Sequence, residues 1–69
     1  MIKVIEVENT DLEMKSYKVS LFADTKSEVT PDAEIIGLPE GATIEMGSSV
    51  MTASGELAFM KSDGTWNWV

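Results

Sequence analysis

Short apolar runs alternate with glycine-containing breaks in the C-terminal third of the chain. The runs are residues 49–52, 56–61 and 65–69. The two breaks between them end at Gly55 and Gly64. Short runs of β-branched, aromatic and other apolar residues, separated by turns that contain Gly, are typical of consecutive β-hairpins. The pattern therefore predicts an antiparallel three-strand meander over residues 47–69.

Residues 14–23 alternate between two faces. One face carries Tyr17, Val19, Leu21 and Ala23, and the other carries Ser16, Lys18, Ser20 and Phe22. A period of two residues predicts a half-buried strand. Residues 2–8 are also rich in β-branched residues and predict a strand, although their alternation slips at Val4 and Ile5.

Polar segments separate the remaining elements. The predicted loops and turn are residues 9–11, 24–32 and 37–41, and the predicted short strands are residues 33–36 and 42–46. No stretch longer than about eight residues has the 3.6-residue apolar period of a helix. We therefore expect a single small domain over residues 1–69, all-β and mainly antiparallel, with about five or six short strands.

Two hairpin geometries fit the breaks of the meander, and they differ in which side chains share a face. Tight two-residue loops would place together Val50, Leu57, Phe59, Trp66 and Trp68, opposite Met51, Ala58, Met60 and Val69. Three-residue loops that end in a Gly bulge would place together Met51, Leu57, Phe59 and Val69, opposite Val50, Ala58, Met60, Trp66 and Trp68. The turn chemistry favours the bulged form and the clustering of aromatic residues favours the tight form, so both stay open.

Both geometries leave large apolar side chains on both faces of the meander. A small antiparallel sheet usually has one polar face, and full burial of a large apolar side chain is worth roughly 1.5–3 kcal/mol. We therefore expect a second copy to cover one face, in a homodimer or homotrimer. The candidate interface residues are Val50, Met51, Phe59, Met60, Trp66, Trp68 and Val69.

The size of the chain favours the same expectation. A chain of 69 residues buries only about 60% of its unfolded surface, so a small domain usually needs an additional stabilising device. The sequence has no Cys and no His, which excludes disulfides and makes structural zinc improbable. Oligomerisation is the remaining common device.

The charge of the chain argues against several classes of partner. Its formal net charge is −7, from twelve acidic residues against five Lys and no Arg. Such a surface repels the phosphate backbone, so we expect no nucleic-acid partner. No apolar run approaches the roughly 18 residues of a membrane span, and charged residues interrupt any signal-peptide layout at the N-terminus. We therefore expect no membrane partner and a location in a cytoplasm.

Residue types that carry catalysis are scarce. The chain has no His, Cys or Arg, so it lacks the side chains that most often serve as acid–base catalyst, thiol nucleophile or guanidinium group. Ser48, Ser49, Ser54 and Thr65 lie in or beside predicted turns, and Asp63-Gly64 lacks the remaining ligands of a calcium loop. We expect no enzymatic activity and no catalytic, cofactor or metal site.

Trp66 and Trp68 lie two residues apart on one strand face. Two coplanar indoles can stack on sugar rings, but in a small β domain such residues usually belong to a core or an interface. In the tight register, Lys61 would also lie over Trp66 as a cation–π contact. The sequence leaves core, interface and ligand platform open, and favours the first two.

The C-terminal stretch resembles a module of small proteins from tailed bacteriophages and prophages. Its parts are Gly47-Ser48-Ser49-Val50, Ser54-Gly55, Leu57-Ala58-Phe59-Met60 and Asp63-Gly64-Thr65-Trp66. The resemblance covers about residues 15–69 and marks residues 1–13 as a possible N-terminal extension. It implies a non-enzymatic virion-associated or assembly protein that self-associates, with other virion proteins as further partners. It also implies a location in the cytoplasm of a bacterial host, with the virion as the alternative.

A second resemblance supports an alternative function. Residues 63–68, Asp-Gly-Thr-Trp-Asn-Trp, look like one unit of the aromatic hairpin repeats in cell-wall choline-binding proteins. Those repeats occur in tandem, and this chain holds one copy. The alternative that it implies is a small carbohydrate-binding or cell-wall-binding module that uses Trp66 and Trp68.

Overall fold

Seven strands and one short 3-10 turn make up the computed structural model, which describes residues 1–30 and 33–69. The strands are β1 (Ile2–Asp11), β2 (Ser16–Ala23), β3 (Ile35–Ile36), β4 (Thr43–Ile44), β5 (Ser49–Thr52), β6 (Leu57–Met60) and β7 (Trp66–Trp68). The 3-10 turn covers Lys26–Glu28, inside the predicted loop 24–32. The last two residues of that loop lie outside the described residues. The predicted all-β class is confirmed, and no helix among the described residues is long and apolar enough to cross a membrane.

All seven strands belong to one mixed sheet with the order β3-β1-β2-β5-β6-β7, and β4 also pairs with β2. β1 and β2 form an antiparallel hairpin, and β5, β6 and β7 form the predicted antiparallel meander. A parallel pairing of β2 with β5 joins these two units. The count exceeds five or six because the two-residue strands β3 and β4 each find a partner.

β1 is longer than the sequence predicts, because it continues to pair with β2 beyond two shifts in register. The register shifts between Val4 and Glu6 and again between Val7 and Asn9. An extra residue at each shift is a β-bulge, and the first shift coincides with the slip in the apolar alternation. The expected loop at residues 9–11 is therefore wrong: those residues end β1, and the turn follows them. Residues 1–13 are part of this fold, since Ile2 lies in the core at 4% exposure.

The core lies on one face of the sheet and is centred on β2. Val19, Leu21 and Ala23 are buried, as their alternation predicts, and Tyr17 is half-buried beside them. Ile2, Val50 and Ala58 complete the buried cluster from the neighbouring strands. Half-buried side chains pack around that cluster: Val4, Val29, Ala33, Ile35, Leu38, Ile44, Trp66 and Trp68.

Both loops of the meander have the bulged geometry. Val50 pairs with Ala58, and Met60 pairs with Trp66. The glycines that end the loops have positive φ, 87° at Gly55 and 85° at Gly64, which an L-residue adopts only at a cost. The turn chemistry therefore prevails over the clustering of aromatic residues, and Val50, Ala58, Met60, Trp66 and Trp68 share the core face.

A break in the strand pairing beside β2 is closed by a side chain. β4 and β5 lie against the same edge of β2, and residues 45–48 interrupt them. The buried Ser48 hydroxyl accepts a hydrogen bond from the Val19 N–H at 3.0 Å and donates to the Tyr17 carbonyl at 3.4 Å. Ser48 thus supplies the donor and acceptor that a paired backbone would provide, a role beyond that of the predicted turn residue.

Candidate functional site

Five apolar side chains lie together on the face of the sheet opposite the core, and we call them the outer patch. They are Phe22, Met51, Leu57, Phe59 and Val69. The register fixes this grouping, because Phe22 pairs with Met51 and Met51 pairs with Leu57. Val69 joins it through its N–H, which donates to the Leu57 carbonyl at 2.9 Å.

The outer patch is open to solvent in the single chain. Met51 is 49% exposed, Phe59 is 42% exposed and Val69 is 87% exposed. Phe22 and Leu57 are half-buried by their neighbours. Monomeric soluble proteins seldom leave large contiguous apolar patches uncovered, and such patches usually mark an interaction site.

The electrostatic surroundings of the outer patch differ from the acidic character of the chain. Its five side chains carry no charge, whereas the whole chain has a net charge of −7. One charge that contacts it is positive: the Lys3 ammonium lies 5.9 Å from the centre of the Phe22 ring. On the same side the Glu8 carboxylate accepts a hydrogen bond from the Ser20 hydroxyl at 3.4 Å, so charges of both signs border the apolar side chains along β1.

The seven predicted interface residues are divided between the two faces. Met51, Phe59 and Val69 belong to the outer patch. Val50 and Met60 are buried at 0% and 8% exposure in the core of the same chain. Trp66 and Trp68 are half-buried against that core. An interface on the outer face would therefore use three of the seven.

Sequence reasoning missed two members of the outer patch. The alternation of residues 14–23 places Phe22 on the polar face, and the predicted interface does not include Leu57. The parallel pairing of β2 with β5 brings Phe22 beside Met51. That pairing joins segments almost thirty residues apart, and the local alternation of neither segment indicates it. Once the bulged register is chosen, the sequence does place Leu57 beside Met51.

The two tryptophans have different surroundings on the core face. Trp66 lines a cleft of about 720 Å³ together with Ile35, Leu38, Ile44 and Met60. Trp68 has the Lys26 ammonium 4.9 Å from the centre of its ring, and that ammonium also pairs with the Glu56 carboxylate at 3.9 Å. The contact of Lys61 with Trp66 is expected only for the tight register, which the chain does not adopt. The Lys61 ammonium instead lies 3.8 Å from the Asp63 carboxylate, and the lysine over a tryptophan ring is Lys26, over Trp68.

Asp63 organises the turn between β6 and β7. Its Oδ1 accepts hydrogen bonds from the Thr65 hydroxyl at 2.6 Å and from the Thr65 N–H at 3.0 Å. These bonds to Thr65, with a smaller contribution from the Lys61 charge, hold the pKa of the Asp63 carboxyl below its usual value. The carboxylate therefore acts as a turn-capping acceptor. Across residues 1–30 and 33–69, no group of three acidic side chains is placed to hold a metal ion.

Neither a family model nor a curated protein nor a solved structure matches this chain significantly. The resemblance to bacteriophage proteins consequently stays a prediction from the sequence. The outer patch, the edges of the sheet and the cleft beside Trp66 are the features of the described residues that are open to a ligand or a partner.

Proposed function

We propose that this chain is a non-enzymatic structural or assembly subunit that acts by self-association through the outer patch. The tailed-bacteriophage and prophage proteins that its C-terminal stretch resembles supply the biological setting of the proposal. The observation that carries it is the outer patch itself, an uncharged apolar surface that spans β2, β5, β6 and the end of the chain.

The energetics favour covering this surface. Burial of apolar area is worth roughly 25 cal/mol per Å², and full burial of one large apolar side chain about 1.5–3 kcal/mol. Met51, Phe59 and Val69 retain between 42% and 87% of their exposure. Burial of several such side chains contributes a favourable free energy that offsets part of the entropic cost of association.

The charge distribution favours a second copy as the partner. Two chains of net charge −7 repel each other, but the repulsion is smallest where the contacting surfaces carry no carboxylate. The five side chains of the outer patch meet that condition, and acidic neighbours such as Glu8 come to lie at the rim, where salt screens them. The partner in this proposal is therefore an identical chain, in a dimer or trimer.

A charge placed in the outer patch tests the proposal. Met51→Lys inserts an ammonium at the centre of the patch, and Ser54→Lys makes the same change of charge at an exposed turn. Sedimentation equilibrium should show the wild type and Ser54→Lys as oligomers and Met51→Lys as a weaker oligomer or a monomer. Far-UV circular dichroism verifies that each variant keeps the β fold.

Two results would overturn the proposal. One is a wild-type protein that stays monomeric up to high micromolar concentration. The other is a Met51→Lys variant that is folded and associates as strongly as Ser54→Lys, since the contact surface would then lie elsewhere.

The alternative function is binding of a carbohydrate at Trp66. The observation that favours it is the cleft of about 720 Å³ that Trp66 lines, a volume typical of small-molecule sites. The lysine over Trp68 covers the second indole, so the pair does not form one open platform. Titration with soluble cell-wall fragments should change the tryptophan fluorescence if this alternative holds. The loss of that response in Trp66→Phe, but not in Trp68→Phe, would assign it to the cleft.

A further inference from the structure

β7 is an edge strand with one unused side. It pairs with β6. Thr65 and Val69, the residues just before and just after β7, also form backbone hydrogen bonds with Lys61 and Leu57. The Lys61 N–H donates to the Thr65 carbonyl at 2.9 Å, and the Val69 N–H donates to the Leu57 carbonyl at 2.9 Å. In an antiparallel pair, successive residues alternate between bonding the partner and facing away. The N–H and C=O groups of Trp66 and Trp68 therefore point to the open side of β7.

This open side has no partner strand among the described residues. β6 is the only neighbour of β7 in the order of the sheet, and no backbone hydrogen bond of the described residues engages the Trp66 or Trp68 amides. An edge with free donors and acceptors is a template for another strand.

The edge is complementary to itself. If two copies of β7 meet in antiparallel orientation about a two-fold axis at Asn67, then Trp66 of one copy lies opposite Trp68 of the other. Each such pair can exchange two N–H···O=C bonds, which makes four bonds around the axis. The same patch serves both copies, as a two-fold interface requires.

The charges favour β7 over the edge on the other side of the sheet. β7 has the sequence Trp-Asn-Trp and carries no charge. The outer edge of β1 beyond its short pairing with β3 carries Glu6, Glu8 and Asp11. Antiparallel contact of two β1 strands would bring like charges together, which is unfavourable, whereas contact of two β7 strands brings none.

We propose that two copies of this chain pair β7 with β7 about a two-fold axis at Asn67 and so form one continuous sheet. The inference rests on the proposed self-association, but it uses an edge that is distinct from the outer patch. The edge joins copies side by side, and the outer patch joins them face to face. A chain with both contacts can build an assembly larger than a dimer.

A single cysteine at the axis tests the geometry. Asn67 is exposed and would face Asn67 of the second copy in a non-hydrogen-bonded pair, with Cα atoms roughly 4.5 Å apart. This separation lies within the range that a disulfide spans. Since the chain has no Cys, Asn67→Cys can form only an intermolecular disulfide. Ser62→Cys, at the exposed turn of the same hairpin, is the matched control. Under mild oxidation Asn67→Cys should form covalent dimers at least ten times faster than Ser62→Cys.

A like-charge pair at the axis supplies a second readout. Asn67→Lys places two ammonium groups opposite each other at the axis. Because Asn67 pairs with Phe59, this variant also brings a charge beside the outer patch, so both contacts predict a weaker association for it. Ser62→Lys changes the net charge equally at the turn. A less negative chain repels itself less, so Ser62→Lys should associate as well as the wild type or better. Asn67→Lys should weaken association at least tenfold in sedimentation experiments, with an unchanged far-UV spectrum.

The outcomes separate this inference from the proposed function. Equal oxidation rates for the two cysteine variants, in a wild type that self-associates, would overturn the β7 pairing and leave the outer patch as the interface. Association of Asn67→Lys as strong as that of Ser62→Lys would overturn the β7 pairing as well. A wild type that stays monomeric would overturn both. Rapid cross-linking at residue 67 together with undiminished association of Met51→Lys would support the edge and overturn the outer patch.

Discussion

Ser48 is the residue whose local role is clearest. It lies between β4 and β5 at 0% exposure, and its hydroxyl bonds to two backbone groups around β2. A buried N–H without a partner costs free energy, so a side chain that fills a gap in the ladder has a larger effect than an average surface serine.

Ser48→Ala should lower the free energy of unfolding by about 1–3 kcal/mol, because the buried Val19 N–H loses its acceptor. Ser49→Ala, at the half-buried position next to it, is the control and should change stability by less than about 0.5 kcal/mol. Urea unfolding at one fixed protein concentration measures both values. Equal effects of the two variants would show that the Ser48 hydroxyl does not replace a backbone partner.

Asp63 gives a second prediction at this scale, concerning pH. The hydrogen bonds from Thr65 lower the pKa of the Asp63 carboxyl from its usual value near 3.8. A carboxylate with a lowered pKa stabilises the folded state above its usual pKa, and this contribution disappears as the pH falls through the lowered value. Asp63→Asn keeps the Oδ1 acceptor and removes the charge.

Asp63→Asn should therefore be less stable than the wild type at neutral pH, and the difference should shrink below about pH 4. Chemical unfolding at a series of pH values measures this convergence. Glu13→Gln, at an exposed position of the β1–β2 turn, is the control for a general loss of negative charge. A difference that stays constant from about pH 6 to about pH 2 would mean that the charge of Asp63 makes no contribution to folding.

At the scale of the elements, the two bulged loops determine which residues face the core. Each loop ends in a Gly with positive φ, and no atom lies within 4 Å of a Cβ built on Gly55 or Gly64. The requirement for Gly at these positions is consequently conformational and not steric. A shift of one residue in either loop would exchange the two faces of the outer strands.

Gly55→Ala should destabilise the fold by about 1–2 kcal/mol, the cost of the left-handed conformation for an L-residue. Gly55→Asn should cost less, because Asn tolerates that conformation better. Thermal or urea unfolding of the two variants gives the comparison. If Gly55→Ala were as stable as the wild type, the loop would not depend on the left-handed residue, and the bulged register would lose its physical basis.

The strands that the sequence predicts well are those with strong alternation. The face of β2 with Val19, Leu21 and Ala23 follows from local pattern alone, and so do the three strands of the meander. The register of the meander does not, because turn chemistry and aromatic clustering favour different answers. The outer patch was only half predictable, since its Phe22 reaches Met51 through a pairing between distant segments.

At the scale of the whole molecule, the sheet of the described residues has one core face, an apolar outer face and open edges. The parallel pairing of β2 with β5 unites a hairpin and a meander into one sheet, and the residues around the 3-10 turn and β3 supply side chains to its core face. The outer patch, the open side of β7 and the edge of β1 beyond β3 have no partner strand or covering element among the described residues. The side chains of the first two carry no charge in a chain of net charge −7, which is why we propose those two for contacts between copies.

Folding and association are linked in this account. If an assembled state protects the outer patch, dilution should lower the melting temperature, because mass action favours the less stable single chain. Salt should tighten association modestly, since it screens the repulsion between acidic chains. Association through an apolar contact without charge repulsion would depend little on the salt concentration, and association through ion pairs would weaken as the salt concentration rises.

Self-association is tested most directly by two measurements on one wild-type sample: sedimentation equilibrium at low and high salt, and thermal melts over about a hundredfold dilution. We expect an oligomeric mass, tighter association at high salt and a melting temperature that falls on dilution. A monomeric mass together with a melting temperature that does not change on dilution would contradict this expectation.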